Sequence, residues 1–232
     1  MYDKRLWKCD DRIVSISQPH VRPIIRGKAS KAVEFGAKIS ASLNDDGLAR
    51  TDAIRWDAFN ESGDLAAQVE AYNARYGYYP AVVLADGIYG TRKNRRYCKK
   101  RGIRFGGKPL GRPKKATEAN REVIREEKKQ RRRDELERIP IEGKFGQGKN
   151  GYGLGRIRAK RADTSEAWIR GIFFVMNLMV LLRFFFASKM PGVLRLIRTL
   201  TSCMGASVQW LVFPTWRSSQ AHSDLYVGAL TF

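Results

Sequence analysis

The chain reads as an α/β protein built on a mixed sheet with flanking helices, and three features predict it. A period-two apolar run, Ala32 to Leu43, is followed by the turn Asn44-Asp45-Asp46-Gly47 and a second extended run. Leu65, Val69 and Tyr72 then recur at helical spacing, and a wholly apolar Ala81 to Ala85 comes directly after that helix. Strand, strand, helix, strand is the order of an α/β sheet entered through an antiparallel hairpin.

Taken in order, Arg12 to Ser17 alternates with β-branched residues and predicts a short strand, broken by Gln18-Pro19-His20 and Pro23. The run from Ala32 to Leu43 is the clearest half-buried strand, and Leu48 to Phe59 is its hairpin partner. Asn60 to Asp64 supplies capping residues for a helix of about three turns that ends at Gly77. Ala81 to Ala85 is short enough to be a buried strand, and it stops at Asp86. Thr91 to Lys115 is crowded with cations and predicts a basic loop. Thr117 to Glu137 intermingles acids and bases, as an exposed helix laced by ion pairs would. Around Glu142, Pro140 with Gly143 and Gly146 argues against a regular helix.

Composition bounds the rest. A net charge of +21 attracts polyanions, chiefly nucleic acid or anionic lipid. The length of 232 residues allows one sizeable core without staples. Three scattered cysteines, Cys9, Cys98 and Cys203, suggest neither a disulfide framework nor a zinc site and fit a reducing cytoplasm. The amino terminus lacks the apolar core of a secretory signal. The apolar stretch Ile172 to Ala187 falls short of a bilayer span and is interrupted by Asn177 and Arg183, so a buried core helix is expected and no membrane partner. Beyond Ala187 no sustained period is visible.

Two acids could carry chemistry. Asp86 ends a buried run, where α/β sheets hold side chains rigidly at an open edge, although its neighbour Gly87 equally suits a plain turn. Glu142 follows 56 residues later with Arg138 four before it and Lys149 seven after it. On a helix these positions adjoin. A surface glutamate among abundant cations is the ordinary alternative.

The text around both acids resembles one family. Ala85-Asp86-Gly87-Ile88-Tyr89-Gly90-Thr91-Arg92 with Arg101-Gly102-Ile103 looks like the second-aspartate region of DDE-class bacterial insertion-sequence transposases. Arg138, Glu142 and Lys149 are similar to the Tyr-x2-Arg-x3-Glu-x6-Lys signature of the same enzymes, and the upstream strands have the look of one subgroup. The likeness extends over about Tyr2 to Arg183. It implies a ribonuclease H-like fold in which three carboxylates hold two Mg2+ or Mn2+ ions, with Asp86 and Glu142 as catalytic metal ligands. Two such ions about 3.5 to 4 Å apart serve the attacking and leaving oxygens of an in-line phosphodiester displacement. The implied partner is double-stranded DNA, as element ends and target, handled by a homodimer in the bacterial cytoplasm at the nucleoid.

Arg138, Lys149 and Lys144 are the expected phosphate-binding cations, joined by Arg112 and Lys114. The last two lie in Gly107 to Lys115, which resembles an AT-hook. Two departures stand out. Glu135 occupies the signature's tyrosine position, and the family's first aspartate lies on a strand upstream of anything in this sequence. Asp10 and Asp11, in a polar terminus, are poor substitutes. The chain is therefore expected to be a truncated catalytic domain over residues 1–187, lacking its first strand, with a basic insertion at about 92–137. An irregular tail at 188–232 is expected outside the fold. Alone it is expected to be inactive, the alternatives being a non-catalytic DNA-binding remnant or a basic membrane-associated protein.

Overall fold

The computed structural model describes residues 12–28, 31–189 and 224–231. Its centre is a five-stranded mixed sheet. Strands β1 (Arg22–Lys28) and β2 (Lys31–Gly36) form a separate two-stranded ribbon, whereas β3 (Lys38–Leu43), β4 (Ala49–Arg55), β5 (Val82–Ala85), β6 (Arg104–Phe105) and β7 (Asp224–Thr231) make the main sheet in the order β4-β3-β7-β5-β6. The antiparallel hairpin β3/β4 lies at one edge and the parallel pair β5/β6 at the other. This α/β architecture agrees with the ribonuclease H-like expectation.

The long period-two run divides because Gly36 adopts φ 145°, a conformation that favours glycine. Side chains before it belong to the ribbon and those after it to the main sheet. The hairpin turn forms as its chemistry dictates, Asn44 Oδ1 accepting from the Leu48 backbone N–H at 2.9 Å. Arg12 to Ser17, expected as a strand, has no regular structure, and Ile13 and Ile16 are exposed. Among the described residues no strand pairs with this alternating run.

Helices α1 (Leu65–Tyr76) and α2 (Arg92–Lys100) cover one face of the sheet, and α3 (Arg121–Gly151) with α4 (Ala162–Lys189) covers the other. Leu65, Val69 and Tyr72 of α1 meet Val83, Ala85, Leu225 and Val227. Ile141 and Phe145 of α3 and Ile169, Ile172, Phe173 and Met176 of α4 meet Ile39, Ala41 and Leu43. Strand β3 shows the resulting alternation: its apolar residues face α3 and α4, while Ser40 faces α1 and donates to the Asp64 carboxylate at 2.7 Å.

Where a basic loop was expected, α2 forms. Thr91 caps it, its hydroxyl accepting from the Asn94 N–H at 3.2 Å, and Asn94 and Cys98 supply a buried stripe four residues apart. Cations on the remaining faces hid this stripe. Helix α3 likewise continues through Pro140 to Gly151, anchored by buried Asp134, Ile141, Phe145 and Gly148. Close tertiary packing outweighs the local propensity penalty: a Cβ on Gly148 would lie 2.8 Å from Leu154 Cδ2.

The structure differs from the irregular-tail reading at β7. This strand lies between β3, to which it is antiparallel, and β5, to which it is parallel. It thus fills the central slot of a sheet expected to lack its first strand. No other strand joins β3 to β5 among the described residues. The remainder of 188–232 beyond Lys189 lies outside the described residues until β7 begins.

Helix α4 departs from a buried core helix in its second half. Asn177 ties it to the β4 edge, donating to the Ala49 carbonyl at 2.6 Å and accepting from its N–H at 2.8 Å. Past that point Leu178, Met179, Leu181, Leu182 and Phe184 to Phe186 are exposed. Residues 162–186 are long and apolar enough to cross a membrane by length and composition.

Candidate active site

Asp86 follows the last residue of β5, and its position is fixed from three directions. Its carboxylate accepts from the Gly87 N–H at 2.6 Å, starting a 3-10 turn over Gly87–Tyr89. Tyr89 plunges into the core beneath, fully buried. Asn94, itself buried on α2, donates through its single amide nitrogen to the Tyr89 carbonyl at 2.9 Å and the Ser62 carbonyl at 2.7 Å. The aspartate therefore stands on a turn bolted to α2 and to a second 3-10 turn, Glu61–Gly63. Asn94 escaped sequence reasoning, and its only signal was the Thr91 cap three residues earlier.

A polar network lies under this turn. Lys38 Nζ pairs with Glu61 at 2.7 Å, Ser40 and Arg55 hold Asp64, and Gln68 donates to Asp52 at 3.0 Å. Burial raises the Asp52 carboxyl above its ordinary range, against hydrogen bonds from Ser42 and Gln68 that lower it. The same desolvation, reinforced by Glu61, pushes the Tyr89 phenol upward. Tyr89 stays neutral and structural.

Glu142 reaches the same place from α3. Arg138, one turn earlier, pairs with Glu142 at 2.6 Å and approaches the Asp86 carboxylate at 4.0 Å. Both carboxylates are more than half exposed, and Arg138 is about a quarter exposed between them. The continuation of α3 through Pro140 is what makes this possible, since it sets Arg138 and Glu142 on one helical face.

The neighbouring strand bears no acid at this level. Val227 pairs with Ala85, so Gly228 comes beside Asp86, and a Cβ there would lie 3.0 Å from Ile141 Cγ1. The strand's acid, Asp224, pairs with Val82 at the opposite end of β5. Among the described residues no three His, Cys, Asp or Glu side chains gather as a metal site. Asp10 and Asp11 lie outside the described residues.

The other expected cations are dispersed. Lys149 sits in the last turn of α3, two turns beyond Glu142. Lys144 is partly buried, and desolvation, with the Arg183 charge adding to it, lowers its ammonium to about 8. Lys114 is engaged with Glu127 at 2.9 Å, and Arg112 is exposed on the same loop.

Lys144 has a measurable consequence. Its folded-state value lies below the ordinary lysine value of about 10.4, so the unfolded chain binds more protons between those limits and stability rises with pH through that window. Lys144→Met is expected to flatten the rise and to add about 1–3 kcal/mol at neutral pH, where the cost of a charged, half-buried lysine is fully present. Urea melts of both proteins at pH 7 and pH 10.5 check this; parallel pH dependence would show that Lys144 is solvated.

Residues 83–179 match the family model described as the transposase DDE domain. The match begins in β5 beside Asp86, spans all of α3 and ends within α4. Over those residues, less than half of the chain, the sequence is similar to that domain. Neither a curated protein nor a solved structure matches it.

Proposed function

We propose that this chain acts in DNA transposition as part of a DDE catalytic domain, with Asp86 and Glu142 holding a divalent cation against double-stranded DNA. The observation that carries the reading is the convergence of both carboxylates on Arg138, from a strand end and a helix 56 residues apart in sequence. Two exposed carboxylate groups suit one Mg2+, which is held by one or two carboxylates and completes its shell with water and substrate phosphate oxygens. Mn2+ accepts the same donors.

Bound there, the cation would polarise a phosphoryl oxygen and lower the pKa of a coordinated water. The protein's own part is positional. Asp86 and Glu142 present oxygens from rigid elements, and Arg138 offers a guanidinium fork suited to a phosphate. In the free protein that fork is occupied by Glu142, so DNA would draw Arg138 away and release both acids together. A two-metal displacement requires further carboxylate donors, and β7 offers only glycine at the adjacent position. The chain by itself is therefore assigned DNA and metal binding without strand transfer.

The test is Mn2+ titration by electron paramagnetic resonance in the presence of duplex DNA, alongside a nicking assay. One bound Mn2+ is expected, lost in Asp86→Asn and in Glu142→Gln, with no nicking. Retained binding in both variants would remove these residues from the site. Nicking that depends on Asp86 would show a complete catalyst instead.

The membrane-associated reading draws on the exposed apolar half of α4. Recovery of the chain in the detergent-free soluble fraction would count against it, and extraction only by detergent would favour it.

A further inference from the structure

We propose that a groove between the 107–115 loop and the first half of α3 grips the phosphodiester backbone of duplex DNA, at a place separate from the Asp86–Glu142 pair. This rests on reading the chain as one that handles DNA. The groove is a cavity of about 490 Å³ lined by Lys108, Arg125, Lys128, Lys129, Arg131 and Arg132, with Glu135 as its single acid.

Helix periodicity makes the lining a stripe. Positions 125, 128, 129, 132 and 135 recur at intervals of three and four, so their side chains share one face of α3. The opposite wall is Lys108, whose loop is held in place. Arg95 donates to the Lys108 carbonyl while its guanidinium lies over the Phe105 ring, and Lys114 pairs with Glu127 on α3.

The lining carries more positive charge than its own acids neutralise. Lys129 is paired with Glu126, and Arg131 donates to the Glu127 carbonyl. The side chains of Lys108, Lys128 and Arg132 make no hydrogen bond or ion pair among the described residues. With Arg125 likewise unpaired among the described residues, four unengaged cations share the cavity with one acid, and the cations repel one another unless a further anion enters. Its shape favours a polymer over a lone phosphate. From Arg125 to Arg132 the stripe runs ~10 Å at 1.5 Å per residue, a length along which one DNA strand presents about three phosphates.

The position complements the carboxylates. Arg132 and Glu142 stand on the same helix ten residues apart, so a duplex seated in the groove is held ~15 Å along α3 from the acids. Contacts of this kind set the register of DNA and carry no sequence preference.

Fluorescence anisotropy with a labelled duplex, in EDTA, over a salt series tests the groove without any metal or cleavage. Each lost phosphate contact reduces the log–log salt slope by about 0.9, so Lys128→Ala with Arg132→Ala is expected to reduce it by about 1.8. Lys99→Ala with Lys100→Ala removes the same charge from exposed positions on α2 and is expected to leave the slope unchanged. Glu135→Gln is expected to tighten binding. An undiminished slope in the groove variant, equal losses in both double variants, or unchanged or weaker binding by Glu135→Gln would overturn the proposal. So would absence of duplex binding by the wild-type chain. Because chelator is present, these results are independent of Asp86 and Glu142: loss of metal binding in the preceding assay leaves them untouched, and a failed groove leaves that assay's outcome standing.

Discussion

Val227→Asp is expected to abolish the native fold. Val227 is fully buried in β7, paired with Ser42 on one side and Ala85 on the other, and its side chain packs in the cluster that joins α1 and α2 to the sheet. An aspartate there either ionises in an apolar site or takes up a proton at a cost of several pK units, and either route exceeds ~4 kcal/mol. That is comparable to the whole stability of a domain, ~5–15 kcal/mol. The damage is also architectural, since β7 alone links the β3/β4 and β5/β6 halves among the described strands. Val227→Ala, which only vacates volume, is expected to lose ~2 kcal/mol and retain a cooperative transition. Near-UV circular dichroism and urea unfolding distinguish the three proteins. A Val227→Asp melt coincident with wild type would mean that β7 does not occupy the sheet.

Asn94→Asp ranks next, at about 3–5 kcal/mol. The Asn94 amide donates to two carbonyls, Ser62 at 2.7 Å and Tyr89 at 2.9 Å, from a side chain that is 4% exposed. A carboxylate of the same shape offers only acceptors, so two bonds become two repulsions around a buried charge. The loss is concentrated on the turn that carries Asp86. Mn2+ affinity should therefore fall in this variant under conditions where it is still folded, while duplex binding in EDTA persists. Asn94→Ala should show the same pattern with a smaller stability loss, about 1–3 kcal/mol. Wild-type metal affinity in folded Asn94→Asp would show that the clamp does not position Asp86.

The sequence exposed those features whose signal is local. Asn44 to Gly47 carries its own turn chemistry, Leu65, Val69 and Tyr72 their own helical period, and Val82 to Ala85 needs only to be apolar. Asp86 and Glu142 were singled out through the resemblance of the text around each, and in space Arg138 lies 2.6 Å from Glu142 and 4.0 Å from Asp86. What escaped was decided by tertiary packing. The α2 segment is so rich in cations that Asn94 and Cys98 were lost among them, and Pro140 with Gly143 and Gly146 obscured a helix whose support is Ile141 and Phe145 packing on the sheet. Arg12 to Ser17 shows the converse, a strand-like alternation that pairs with no strand among the described residues. The residues Leu225-Tyr226-Val227 alternate correctly, with Leu225 and Val227 facing one layer and Tyr226 the other. Three residues of alternation do not announce a central strand.

The location of β7 in the chain also orders events during synthesis. Its Val227 pairs with Ala85, a residue made 142 positions earlier, and at ribosomal speeds of about 5–20 residues per second that interval lasts roughly 7–30 seconds. Hairpins and helices form in microseconds, so β3/β4, α1 and α2 can be complete long before the strand that unites them exists. Throughout that interval β3 and β5 each present an unsatisfied row of backbone groups, β5 on a wholly apolar segment and β3 on one whose alternate residues are apolar, and such edges recruit strands from other molecules. Expression of this protein should accordingly depend on temperature and on chaperones that shield open sheet edges, with aggregation set by the lifetime of the half-built sheet.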